Sequence, residues 1–103
     1  MGKHFSVEDI EVIEGDAASE EEYYLALQRA INSGSAWSFQ GSYGRSMMHA
    51  IESGACMLGL VPARDAYGNR IPARAEVEEG TKGSRQFVVD QMGEEWAAML
   101  EGA

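Results

Sequence analysis

Gly41-Ser42-Tyr43-Gly44-Arg45-Ser46 is the stretch whose residue types and spacing best fit a binding device. Glycines and a serine at a helix start leave backbone N–H groups free, and these form an anion nest at the positive end of the helix dipole. An arginine beside them adds the planar fork of donors that clamps a phosphate or carboxylate. Tyr67 or Trp37 would offer a ring on which a base stacks. Read this way, Gly41, Ser42, Gly44, Arg45 and Tyr67 hold a nucleotide or another phosphorylated metabolite. The stretch is not a P-loop, because Phe39 stands where the first glycine is required and Arg45 replaces the lysine. The plainer account, which a lone glycine pair favours, is a turn that starts a helix with Arg45 exposed.

Other combinations carry less chemistry. Arg64, Arg70, Arg74, Lys82 and Arg85 surround Tyr67, a pattern used on single-stranded nucleic acid. Asp65, Glu76, Glu78 and Glu79 offset that charge, so the arginines read as salt-bridged loop residues and nucleic-acid binding is not expected. His49 and Cys56 would make a base and nucleophile only if a third group oriented them, and none is evident. His49 reads as a surface histidine and Cys56 as a small buried filler. Two histidines and one cysteine are too few to close a zinc shell. No catalytic constellation, metal site or cofactor is therefore expected. Trp37, Phe39, Met47, Met48 and Met57 concentrate adaptable apolar bulk near the central turn. Core packing accounts for such residues. The alternative is a partner groove or homodimer seam, with Trp37, Phe39 and Met48 as its partner-binding residues.

The elements that position these residues start from an internal echo. Ala30-Ile31-Asn32-Ser33-Gly34 recurs as Ala50-Ile51-Glu52-Ser53-Gly54, and each copy reads as a last helical turn closed by a left-handed glycine. Ser19-Glu20-Glu21-Glu22 is a capping-box pattern, so one helix is expected over about 20–33. A second follows over about 42–53, with Ser42 as its cap, and the two make an αα-hairpin. Val88, Val89, Met92, Trp96, Met99 and Leu100 predict a C-terminal amphipathic helix over about 84–101, capped by Thr81 or Ser84, with Gly93 inside it. Between lies an irregular connection, either an ordered loop or a hairpin of Met57–Val61 against Arg70–Val77. The partial alternation of Phe5–Ile13 predicts a short edge strand, or else a mobile acidic arm covering residues 1–18. The fold class is α+β, mainly helical, with residues 19–103 as one small globular domain.

Composition bounds the function. The 103 residues suit one domain, and 45% hydrophobic content argues against wholesale disorder. The single cysteine excludes an internal disulfide and fits a reducing compartment. The start of the chain leads into acidic sequence, so neither a leader peptide nor lipidation is expected. The longest apolar run, Ala55–Val61, is too short to span a bilayer, so no membrane partner is expected. Net charge is −9, of which residues 1–22 carry −7 while residues 45–85 sum to +1. The acidic end repels nucleic acid and anionic membrane, and suits either plain solvation or docking on a basic partner.

From Ala36 to Ser84, about half the chain, the sequence resembles a family of small acidic proteins encoded by tailed phages of actinobacteria. The resemblance rests on Ala36-Trp37, Gly41-Ser42-Tyr43-Gly44-Arg45, Gly54-Ala55-Cys56-Met57-Leu58-Gly59, Arg64-Asp65-Ala66-Tyr67-Gly68-Asn69 and Glu79-Gly80-Thr81-Lys82-Gly83-Ser84. It implies a phage origin and action in the host-cell cytoplasm. It supplies no catalytic residues, and the acidic N-terminal segment lies outside it. The first functional expectation is a non-enzymatic accessory protein that binds a host protein. The alternative, from a different class, is the small-ligand module at the Gly41–Arg45 helix start.

Overall fold

The computed structural model describes residues 5–39 and 41–103, so the expectations for the leader and lipidation residues fall partly outside it. The N-terminal segment is helical, not the strand or mobile arm that its alternation suggested. Ser6 Oγ accepts from the Asp9 N–H at 3.4 Å while the Asp9 carboxylate accepts from the Ser6 N–H at 3.1 Å, a reciprocal cap that opens α1 (Val7–Glu11). A wider π-type turn, Val12–Asp16, follows, with Gly15 at φ 136. Asp9 is the reason the alternation misled. It is buried and ion-paired with Arg29 at 2.7 Å, the two side chains being 6% and 15% exposed. A bidentate guanidinium–carboxylate contact of this kind fixes both distance and angle, and so pins the segment to the next helix.

That helix, α2 (Glu20–Ser33), begins where expected, with Ser19 Oγ accepting from the Glu22 N–H at 3.1 Å. It closes on Gly34 at φ 77. A 3-10 turn, Ser35–Ser38, leads to α3 (Gly41–Ser53). Ser42 is not its cap, because the helix already includes Gly41; the residue before Gly41 lies outside the described residues. Helices α2 and α3 pack on each other as the αα-hairpin reading requires.

After Gly54 the chain runs through the core. Gln28, fully buried, donates to the Met57 carbonyl and accepts from the Met57 N–H, both at 2.9 Å. The side-chain amide thereby does for this segment what a neighbouring strand would do. Trp96 donates its indole N–H to the Ala55 carbonyl at 2.9 Å, and Leu58 N–H donates to Gly83. With its backbone groups engaged this way, Met57–Val61 is not a strand. The hairpin forms further on, between β1 (Ala63–Arg64) and β2 (Arg70–Ile71), antiparallel, with Ala63 opposite Ile71. A short 3-10 turn, Arg74–Glu76, follows.

Ser84 caps α4 (Arg85–Met92), accepting from the Phe87 N–H. The C-terminal helix expected over 84–101 is broken at Gly93, whose φ 99 and ψ 162 no helix tolerates, and α5 (Glu94–Glu101) is a separate element. The break lets both halves turn apolar residues inward, Val88 from one and Ala97 and Leu100 from the other. Arg85 holds the two together by pairing with Glu94 at 2.6 Å and Glu101 at 3.0 Å. The core they close is built on Leu27, Ile31, Met47, Ile51 and Met57. Among the described residues the result is mainly helical α+β, and no helix is long and apolar enough to cross a membrane.

Candidate functional site

The 3-10 turn, the start of α3 and the hairpin enclose a groove of about 280 Å³. Trp37, Phe39, Gly41, Gly44, Arg45, Met48 and Tyr67 all line it, so the ligand residues and partner residues expected from sequence meet at one place. Ser42 does not. It lines a different surface hollow with Ile13, Glu14 and Tyr43. Helical spacing explains this: positions 41, 44, 45 and 48 share a face of α3, while position 42 is rotated away from it.

Trp37 forms the floor at 3% exposure, while Phe39 stands at 36% on the rim. The Phe39 ring meets Tyr43 edge-on at 5.3 Å and lies 6.2 Å from Phe5. Tyr43 in turn donates to the Glu14 carboxylate at 2.6 Å. Burial and that bond push the Tyr43 phenol up to about 12. An aromatic run therefore joins the N-terminal segment to the groove wall.

On the opposite rim the hairpin tip is braced from within. Asp65 accepts from the backbone N–H groups of Tyr67 and Asn69 at 2.9 Å and from the Asn69 amide at 3.2 Å. Burial alone would raise the Asp65 carboxyl, but the bonds from Asn69, Tyr67 and Gly68 outweigh it and hold the group below the usual carboxylate range. Arg64 donates to the Gly68 carbonyl at 2.8 Å. A fixed backbone thus presents the Tyr67 side chain, which is 89% exposed. Asp65 is turned to the loop's own donors, so Arg45 supplies the groove's cationic chemistry. The Arg45 guanidinium lies along α3 toward its first turn, where a side chain placed on Gly41 would come within 3.1 Å of its Nη1.

The remaining candidates lie elsewhere. Cys56 is buried and its thiol donates to the Tyr24 carbonyl at 3.5 Å; burial pushes it well up, so it is held as the thiol and not as the nucleophilic thiolate. His49 is exposed. In the basic cluster Arg70 pairs with Glu76 at 2.7 Å, Arg85 pairs with α5, and Arg74 donates to the Leu58 carbonyl. Among the described residues no group of three or more His, Cys, Asp or Glu side chains is placed to hold a metal ion. Sequence reasoning missed Asp65, whose self-bracing role is visible only once the loop closes on it, although the Asp-x-x-Gly-Asn run is itself a turn signal. No family model, curated protein or solved structure matches this chain.

Proposed function

We propose that the protein acts by binding another protein, without catalysing a reaction, and that the groove beside α3 is the anchoring site. The observation that supports this most is the convergence of Trp37, Phe39, Met48 and Tyr67, from three separate stretches of chain, on one partly exposed apolar groove. Its volume of about 280 Å³ sits at the lower edge of small-molecule pockets, which run from roughly 300 to 1,000 Å³. That size suits one anchoring side chain of a partner better than a whole nucleotide. Trp, Tyr and Arg are enriched among the few residues that carry most of the binding energy at protein interfaces, and Trp37, Tyr67 and Arg45 all line this groove. The exposed carboxylates Glu8, Glu11, Glu14, Glu20 and Glu21 favour a partner with a basic face. The resemblance to small acidic phage proteins points to a host factor, met in the host cytoplasm.

The test is affinity capture with the intact chain beside a Phe39→Ser, Tyr67→Ser double variant. One defined protein held by the first and released by the second, at equal thermal stability, is the expected result. Identical background recovery from both would overturn the reading.

A second reading has its own observation, the Arg45 guanidinium lying against the glycine that opens α3. There the groove would take the phosphate of a nucleotide or phosphorylated metabolite, with Tyr67 stacked on its base. Such a ligand raises the melting temperature by binding only the folded state. A shift with nucleotides that disappears both in Arg45→Ala and in Tyr67→Ala would favour it, and a flat response would remove it.

A further inference from the structure

A second cavity, about 390 Å³, opens between α2 and α3 and shares only Arg45 with the groove. Its walls follow from two matching helical spacings. Tyr23, Tyr24 and Leu27 fall at i, i+1 and i+4 on α2, and Arg45, Ser46 and His49 fall at i, i+1 and i+4 on α3. Leu27 and Ala50, each 1% exposed, make the apolar base.

The charge of this cleft runs against that of the chain. Seventeen acidic residues are present in the sequence, yet among the described residues no carboxylate lines it. What lines it is a guanidinium, an imidazole, a hydroxyl and two phenols. Burial foremost, then Tyr23, Cys56 and Glu20, push the Tyr24 phenol up, so it remains a hydrogen-bond donor. Arg45 is also set apart from the other arginines. Arg29, Arg70 and Arg85 are ion-paired, and Arg64 and Arg74 donate to backbone carbonyls. Among the described residues Arg45 has no such partner. In a strongly acidic protein, this cleft brings Arg45 and His49 onto one wall, where an anion meets hydrogen-bond donors and, among the described residues, no carboxylate. Glu20, which adds to the shift of Tyr24, stands on the α2 side and so biases an anion toward α3.

We infer that this cleft binds a small phosphate monoester with a flat apolar body, the phosphate against Arg45, Ser46 and His49 and the body against Tyr23, Tyr24 and the Leu27 base. Offset or edge-on contact with two rings favours a planar body over a branched one. The inference stands apart from the groove, because Tyr23 and His49 line only the cleft while Met48 and Tyr67 line only the groove.

The test is titration of the intact, isotope-labelled chain with phenyl phosphate, followed by backbone amide shifts. Saturable shifts centred on residues 23–27 and 45–50 are expected. A Ser46→Ala, His49→Gln double variant, which removes two of the phosphate's proposed donors, should weaken binding about tenfold or more, the effect of losing charge-assisted hydrogen bonds. Tyr67→Ala should leave it unchanged. Inorganic phosphate should bind more weakly than phenyl phosphate, and benzyl alcohol should give no saturable shift. No saturation at millimolar probe would overturn the inference. So would shifts that survive the double variant but vanish in Tyr67→Ala, which would put the anion in the groove. Equal binding of inorganic phosphate would remove the apolar half of the site.

Discussion

Ala30-Ile31-Asn32-Ser33-Gly34 and Ala50-Ile51-Glu52-Ser53-Gly54 close α2 and α3 with the same local geometry. Gly34 and Gly54 sit at φ 77 and φ 83, and each N–H donates to the isoleucine carbonyl three residues back at 3.2 Å. Ser33 and Ser53 each return a hydroxyl to the alanine carbonyl of the same turn, at 2.8 and 3.1 Å. Beyond the glycine the two ends part. The chain after Gly34 rises into the 3-10 turn that carries Trp37 and Phe39 to the groove. The chain after Gly54 drops into the core through Ala55, Cys56, Met57 and Leu58. A side chain on Gly34 would meet only Ala63, at an ordinary 3.5 Å, whereas one on Gly54 would meet Gln91 at 2.7 Å and Phe87 at 3.3 Å. Identical stop signals therefore serve opposite ends, and what separates them is whether α4 packs on the exit.

The largest way to break this contrast is to release the core exit. Gln28→Leu strips the partners from both backbone groups of Met57, and two buried polar groups at about 1–3 kcal/mol each predict a loss of roughly 2–6 kcal/mol. Denaturant unfolding measures it, and a loss below that range would mean the segment finds other partners. Gly54→Ala comes next. Left-handed strain and a clash against the Cβ and Cγ of Gln91 together predict roughly 2–5 kcal/mol. Gly34→Ala carries the strain alone and should cost about 1–2 kcal/mol. A Gly34 variant as destabilised as the Gly54 variant would erase the distinction between the two ends.

The smallest expected effect lies on the groove side and depends on pH. Tyr43 has its phenol raised from 10 to about 12 in the folded chain, so the neutral form is the one the fold favours. Its contribution is fully present below pH 10 and is lost as pH rises toward about 12. The melting temperature of the wild type should therefore fall more steeply across that window than that of Tyr43→Phe. Parallel slopes would detach Tyr43 and Glu14 from the stability of the groove wall.

How legible all this was varies with the range of the interaction. Ser19, Gly34, Gly54 and Ser84 act through bonds to residues three positions away or fewer, and their helix boundaries can be read from the chain. Asp9 pairs across 20 positions and Gln28 across 29, and neither partner is marked in the sequence. That is why the N-terminal segment looked like a strand and Met57–Val61 looked like half of a hairpin. Gly93 was misplaced for a different reason. A glycine in a helical pattern can be tolerated or can end the helix, and here the pairing of Arg85 with Glu94 and Glu101 favours the bend. At the groove, residue types named the chemistry but not the convergence. Position 67 lies far from positions 37–48 in sequence, and only the hairpin turn built on Asp65 brings Tyr67 across.

The most direct measurement places a photo-crosslinking amino acid at position 67 of the intact chain and, for comparison, at exposed Met92 on α4. Irradiation in cells that produce the protein should give one defined protein adduct from position 67 and none from position 92. The same adducts from both positions, or no adduct from position 67, would contradict a binding role for the groove.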